Sequence, residues 1–347
     1  MSFQVRVLPS GRQFQTEVDE TILAAALRQG VPLPYGCRNG ACGSCKGSVV
    51  EGDLKQGPHA VGALDEHEKS LDKALFCCAY ALSDITIECR EVTNDGTILA
   101  KKLPSRVISM VRASDDVMIL KLQLPATERM QFLAGQYVDF ILKDGKRRSY
   151  SIAQSPHVDG PLEFHLRHLP GGLFTDFVFS TTIPAMKERD ILRFEGPLGS
   201  FFLREDVDKP IIMLASGTGF APLKAMIEYM HHVKIRRPVT LYWGGRRPKD
   251  LYMHQLCLSW VDMVPELTYI PVVSEALTED HWTGRTGLVH QAVMEDIPDL
   301  SAYQVYACGA PVMVSAARKE FIAQCALPES EFYADAFISE AELAESA

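Results

Sequence analysis

Cys37, Cys42 and Cys45 lie in one Gly-rich stretch, YGCRNGACGSCK, and a vicinal pair, Cys77-Cys78, begins 32 residues after Cys45. The spacing C-x4-C-x2-C with a distant fourth cysteine suits a [2Fe–2S] cluster, whose two irons need four thiolates. Three ligands on one loop must wrap an inorganic core whose sulfurs accept hydrogen bonds, so small residues are needed beside them. Gly36, Gly40, Ala41, Gly43 and Ser44 let backbone N–H groups approach. Zinc also accepts four thiolates, but through paired Cys-x2–4-Cys knuckles that a lone distal cysteine fits poorly. Spacing alone does not separate Cys77 from Cys78 as the fourth ligand. Cys89, in an apparent strand, reads as a core residue.

A chain of 347 residues holds two or three domains at roughly 100–200 residues each. With 47% apolar and 23% charged residues it has the composition of a globular protein. The formal charge of −9 leaves no excess of cations for phosphate backbones, which argues against general nucleic-acid binding. No apolar run approaches the roughly 20 residues that span a bilayer. MSFQVRVLPSGR has no basic stretch followed by an apolar core, so a cytoplasmic protein is expected. In a reducing compartment nine cysteines point to metal or redox chemistry rather than disulfides.

The organisation is read in three parts. FQVRV and QFQTEV alternate around Pro9-Ser10-Gly11 as a hairpin, and DETILAAALRQG is a helix with Asp19 placed to cap it and Gly30 to end it. With KGSVVEGDL and SDITIECREV as strands, residues 1–92 form a small α+β unit. The polar run from Thr93 to Thr97 marks a linker over 93–100. Residues 101–206 break into short alternating runs expected to form an antiparallel β-barrel. From 207 to 347 strands and helices alternate, which implies an α/β parallel sheet, with an acidic tail frayed at its end.

The first part resembles a plant-type ferredoxin domain, a β-grasp fold, with YGCRNGACGSCK as its cluster loop. LFCCAYALSDITIEC resembles that family's distal segment, and matching by position implies Cys77 as the ligand. In the barrel, Arg148-Ser149-Tyr150-Ser151 resembles the R-x-Y-S signature of the ferredoxin–NADP reductase superfamily. Alternate strand residues share a face, so Arg148 and Tyr150 can address one ligand. The resemblance implies that Arg148 binds the FAD diphosphate, Tyr150 packs on the isoalloxazine and Ser151 lies close to N5. HLRHLPGGLFTDFV sets Gly172 at a helix start with Thr175 in its first turn, where free N–H groups suit a pyrophosphate. By the same resemblance Gly172 and Thr175 bind FAD, with Arg167 a further candidate. Gly196-Pro197-Leu198-Gly199 resembles the turn that closes the barrel.

PIIMLASGTGFAPLKAMIEYM is an apolar strand, a Gly-rich turn and a helix, the geometry of a phosphate cradle. It lacks the G-x-G-x-x-G fingerprint. G-T-G-x-A-P instead resembles the same superfamily's pyridine-nucleotide domain, implying that Gly217, Thr218 and Gly219 contact NAD(P)H. Cys308-Gly309-Ala310-Pro311 resembles the turn whose Cys lies near the nicotinamide, which with Tyr150 and Ser151 makes Cys308 a candidate at the reacting atoms. After TYIPVVS the superfamily's NADPH enzymes often carry Ser-Arg. Here the pair is Ser274-Glu275, and a carboxylate at the ribose 2′ position favours NADH. Arg246, Arg247 and Lys249 keep NADPH open. Phe337 stands where some relatives cover the flavin with an aromatic, or simply packs a terminal strand.

Together these motifs resemble an iron–sulfur flavoprotein reductase, with similarity first to CDP-6-deoxy-Δ3,4-glucoseen reductases and then to reductase components of aromatic-ring hydroxylases and dioxygenases. NADH gives two electrons at once, a [2Fe–2S] cluster carries one, and a flavin serves both. The resemblance implies a route from NADH through FAD and the cluster to a partner iron–sulfur dehydrase or oxygenase component. A redox sensor and a free-flavin or ferric reductase are the weaker readings. The net negative charge leads us to expect steering toward a basic partner.

Overall fold

The computed structural model describes residues 2–90, 92, 98–182 and 184–337. The linker stretch from Thr93 to Thr97 and the acidic tail from residue 338 lie outside them.

Strand β1 (Ser2–Leu8) turns through Pro9-Ser10-Gly11 and pairs antiparallel with β2 (Gln13–Glu17). Helix α1 (Ile22–Arg28) then buries Ile22, Leu23, Ala25 and Ala26 on the sheet. Its cap is Thr21 rather than Asp19: the Thr21 hydroxyl accepts the Ala24 N–H at 3.2 Å. A turn from Glu17 to Glu20, closed at 3.2 Å, delays the helix start by two positions. Next come β3 (Lys46–Glu51), β4 (Leu54–Gln56), α2 (Glu66–Ser70), β5 (Lys73–Leu75), β6 (Ala79–Ala81) and β7 (Ile85–Glu88). The sheet order is β2-β1-β7-β3-β5, with β1 and β7 parallel. Val5, Val7, Ile85 and Ile87 meet α1 in the core. Cys89 is buried just past β7.

The second sheet holds β8 (Lys101–Arg112), β9 (Val117–Gln123), β10 (Tyr137–Ile141), β11 (Arg147–Ser151), β12 (Leu162–Arg167) and β13 (Ile191–Leu198), with helix α3 (Leu173–Phe179) before β13. Its order is β11-β10-β13-β8-β9-β12, and an antiparallel bridge from Ile152 to Phe164 brings the two edges together as a barrel. Phe140, Phe164 and Phe194 fill it. Gly196-Pro197 lies inside β13 rather than in a turn. A Cβ at Gly196 would stand 2.7 Å from Val138, so glycine there lets β10 approach closely.

The third sheet alternates β14 (Ile211–Ser216), α4 (Phe220–Val233), β15 (Val239–Gly245), α5 (His254–Met263), β16 (Leu267–Val273), β17 (Arg285–Thr286), α6 (Val289–Asp296), β18 (Gln304–Gly309), α7 (Pro311–Gln324) and β19 (Phe332–Ala336). All its pairs are parallel, in the order β17-β16-β15-β14-β18-β19. Met213 and Ala215 face a core with α4 and α5, while Ile212 and Leu214 face one with α6 and α7. The strand order reverses at β14, so a crevice opens beyond the carboxyl ends of β14 and β18. Lys224 of α4 ties this sheet to the barrel, donating to the Ala153 carbonyl at 3.0 Å and meeting Glu163 at 3.2 Å. Among the described residues no helix is long and apolar enough to cross a membrane.

Candidate functional site

The cysteine loop joins α1 to β3 without regular structure, and its thiols take up the free backbone N–H groups. Ala41 and Cys42 each donate to Cys37 Sγ at 3.3 Å, and Ser44 N–H to Cys42 Sγ at 3.4 Å. Cys42, Cys45 and Cys77 are buried and Cys37 half-buried. Cys37 and Cys42 share a hydrogen bond that lowers the Cys42 thiol and raises that of Cys37, so the two sulfurs act as a pair. Cys77 is hydrogen-bonded to both Cys45 and Cys78, the latter at 3.5 Å. Space enforces the glycines: a Cβ on Gly36 would stand 3.0 Å from Cys42 Sγ, and one on Gly40, at φ +79°, 2.9 Å from His59. Buried thiols with N–H groups aimed at sulfur fit a [2Fe–2S] core.

This loop is gripped from both sides. Arg38 reaches across to an ion pair with Asp139 of β10, a carboxylate only 2% exposed. Asp139 also takes the Ser149 hydroxyl at 2.6 Å and Arg147 at 3.4 Å. Tyr137 donates its hydroxyl to the Gly36 carbonyl at 2.9 Å. On the opposite side the Ser44 hydroxyl donates to the Ala334 carbonyl of β19.

On the barrel, β11 sets Arg148 and Tyr150 on one face, as its alternation requires. The Tyr150 ring packs on Phe140 and Phe174, with centroids 5.4 and 5.7 Å away, and burial pushes its hydroxyl pKa up, so it stays neutral. Ser151 Oγ is buried and has no protein partner. An orphaned hydroxyl costs roughly 1–3 kcal/mol, so a polar ligand atom beside it fits this site. Gly172 begins α3 without a side-chain cap, which leaves first-turn N–H groups for an anion. Thr175 is committed elsewhere: its hydroxyl donates to the Leu169 carbonyl at 2.9 Å and so shapes the turn. Arg167 is held by Asp116 at 2.9 Å and lies against the Gly217 turn, where a Cβ would stand 3.1 Å from its guanidinium.

In the crevice, Gly217, Thr218 and Gly219 form one tight turn between β14 and α4. Trp243 Nε1–H donates to the Gly217 carbonyl at 3.0 Å, and Thr218 is buried. Any Cβ on Gly219 would meet the Cys308 carbonyl oxygen at 2.0 Å, so glycine is obligatory where β18 passes. Cys308 is fully buried, and burial, then Asp335, drives its thiol well above the ordinary range, which keeps it protonated. Half-buried Phe337 donates its N–H to the Gly309 carbonyl at 2.8 Å and so stands at the same end. Glu275 is exposed beyond β16, with its N–H on the Arg246 carbonyl at 2.8 Å. Two of the three basic residues nearby are closely paired with acids. Arg247 grips Asp280 at 2.6 and 2.8 Å, Lys249 meets Asp115 at 2.8 Å and Arg246 lies 4.0 Å from Asp250.

Three family models match successive parts of the chain. A model of the 2Fe-2S iron-sulfur cluster binding domain matches residues 5–82, one of the oxidoreductase FAD-binding domain 104–203, and one of the oxidoreductase NAD-binding domain 213–319. CDP-6-deoxy-L-threo-D-glycero-4-hexulose-3-dehydrase reductase of Yersinia pseudotuberculosis is 41% identical over 97% of this chain and 99% of its own. The chain belongs to the iron–sulfur flavoprotein reductases. Reductase component 2 of terephthalate 1,2-dioxygenase from Comamonas sp is 33% identical over 97% of this chain and 98% of its own. The crystal structure of the Amycolatopsis cytochrome P450 reductase GcoB covers 96% of this chain and 98% of its own at 31% identity, with a TM-score of 0.75. This reductase is therefore an oxidoreductase with domains for a [2Fe–2S] cluster, FAD and NAD. Sequence reasoning missed the residues that hold its units together: Arg38, Asp139 and Lys224. A single signal was available, a charged residue inside a loop of otherwise small ones, Arg38, which takes φ +57°.

Proposed function

We propose that this reductase takes hydride from NADH onto FAD and passes single electrons through its [2Fe–2S] cluster to a partner metalloenzyme, an iron–sulfur dehydrase acting on a CDP-6-deoxyhexulose. One observation carries this reading: the cysteine loop is gripped by Arg38–Asp139 on the flavin barrel and by Ser44–Ala334 on the nucleotide domain. Such contacts support a cluster seated beside both the flavin barrel and the nucleotide domain. Bound flavin supplies the exchange between a two-electron donor and a one-electron acceptor. The chain's own residues hold and orient. Cys37, Cys42, Cys45 and Cys77 ligate the cluster, and Ser151 offers its unpartnered hydroxyl to the flavin. Tyr150 packs on the flavin ring, Arg148 and the first-turn N–H groups after Gly172 hold its phosphates, and Arg167 bridges toward the Gly217 turn. Gly217, Thr218 and Gly219 cradle the dinucleotide, Cys308 and Gly309 line the nicotinamide position, and Phe337 flanks it. Glu275 faces the adenosine ribose. With Arg247 and Lys249 already matched by acids, NADH is favoured over NADPH.

The dioxygenase reductase similarity supports a second acceptor, an aromatic-ring oxygenase component, at lower identity. Purified reductase with NADH, assayed against an iron–sulfur dehydrase and its CDP-sugar and against a ring-hydroxylating oxygenase, separates them. Sugar deoxygenation that depends on the reductase is expected. Turnover with the oxygenase alone would reverse the order of the two readings.

A further inference from the structure

Arg318 of α7 belongs to the nucleotide domain, yet its guanidinium lies over the cysteine loop. A Cβ on Gly43, between Cys42 and Cys45, would stand 3.8 Å from its Nε and 3.9 Å from its Cζ. Its side chain is 13% exposed, and its nearest carboxylate, Glu329, is half-exposed and 3.9 Å away. The guanidinium also rides over the Phe332 ring at 4.8 Å. Lys46 next to it is already neutralised by Glu68. A buried guanidinium so loosely paired is costly unless a stronger anion stands beside it.

We infer that Arg318 is a positioning residue whose fixed positive charge stabilises the reduced [2Fe–2S] cluster and draws the loop onto the nucleotide domain. Each electron delivered from the flavin adds one negative charge beside it, with no bond made or broken, and a nearby cation lowers the energy of that state. Reduction therefore tightens the contact between the two domains, and loss of the guanidinium disfavours reduction.

The inference rests on the cluster assignment to Cys37, Cys42, Cys45 and Cys77. The test is a redox titration of the full-length holoenzyme, following the reduced cluster by electron paramagnetic resonance and the flavin by absorbance. In Arg318→Gln the ratio of reduced to oxidised cluster at a fixed potential should fall about tenfold, which is 59 mV for one electron, while the flavin couple stays put. Arg318→Lys should recover most of the shift, and Glu329→Gln should move the cluster the opposite way. A loaded Arg318→Gln protein with the parent potential overturns the inference, and so does an Arg318→Lys shift as large as that of Arg318→Gln. Should Arg318→Gln fail to hold its cluster, an unmoved potential in Glu329→Gln overturns it equally. Parent protein without [2Fe–2S] absorption would instead refute the ligand assignment.

Discussion

Two thiols compete for the fourth ligand position, Cys77 and Cys78, with their sulfurs 3.5 Å apart. Cys77 is 7% exposed and hydrogen-bonded to Cys45, whereas Cys78 is more open and its sulfur lies near Gly40. Cys77→Ser should lose most bound iron and the visible cluster bands, while Cys78→Ser keeps both. Iron analysis with absorption spectra decides it, and the reverse pattern would move the ligand by one residue. Ser151 makes a second residue-scale case. Its buried hydroxyl is unsatisfied without a ligand, so Ser151→Ala should leave the flavin-free protein as stable or slightly more so. The same variant should slow flavin reduction by NADH roughly tenfold, the worth of one hydrogen bond. A flavin-free protein destabilised by the change would show that Ser151 serves the barrel rather than the ligand.

Helix α4 and strand β12 meet through a small buried ion cluster. Lys224 contacts Glu163 at 3.2 Å and Glu228 at 2.8 Å, and His165 shares a hydrogen bond with Glu163 at 3.0 Å. Burial raises the Glu163 pKa, but the His165 hydrogen bond and the Lys224 charge outweigh it and lower it from 4.5 to about 2. Burial lowers His165 from 6.5, only partly opposed by Glu163. Both folded values lie below the unfolded ones, so each group contributes stability at neutral pH that is lost as the pH falls. The loss begins below 6.5 for His165 and runs from 4.5 toward about 2 for Glu163. Melting temperature should drop across that window. Glu163→Gln should cost about 1.5–3 kcal/mol at pH 7, because Lys224 keeps Glu228 at 2.8 Å and the Ala153 carbonyl but loses one charged partner. A flat profile in the parent protein would contradict this account. None of these contacts was legible in the sequence. The strand and helix rhythm from Pro210 onward was, because each element carries enough apolar residues to show its period. Helix α2 and strands β5 and β6, five and three residues long, show no period and went unread. The cysteine spacing and the Gly-rich turn between β14 and α4 were readable as local patterns. Pairs such as Arg38 and Asp139, 101 residues apart, have no local pattern at all.

At the scale of the whole reductase, electrons must make one transfer inside the molecule and one out of it, and the two should answer salt differently. The internal step depends on the grip of Arg38 on Asp139, whose carboxylate is 2% exposed and so poorly screened. The outward step depends on encounter with a partner. The first 92 residues hold 12 acids against nine Lys and Arg, within a chain of net charge −9, a balance that would favour a basic partner surface at low ionic strength. After rapid mixing with NADH, cluster bleaching should be indifferent to added salt, and oxidation by the partner should slow several-fold between low and physiological ionic strength. Arg38→Ala should invert the pattern of damage. Displacing the loop lengthens the path between flavin and cluster, so cluster reduction slows while NADH still reduces the flavin at its usual rate. Unchanged cluster bleaching in a folded Arg38→Ala protein would mean that the Asp139 ion pair only steadies the barrel, and that Ser44 and Ala334 hold the loop without it.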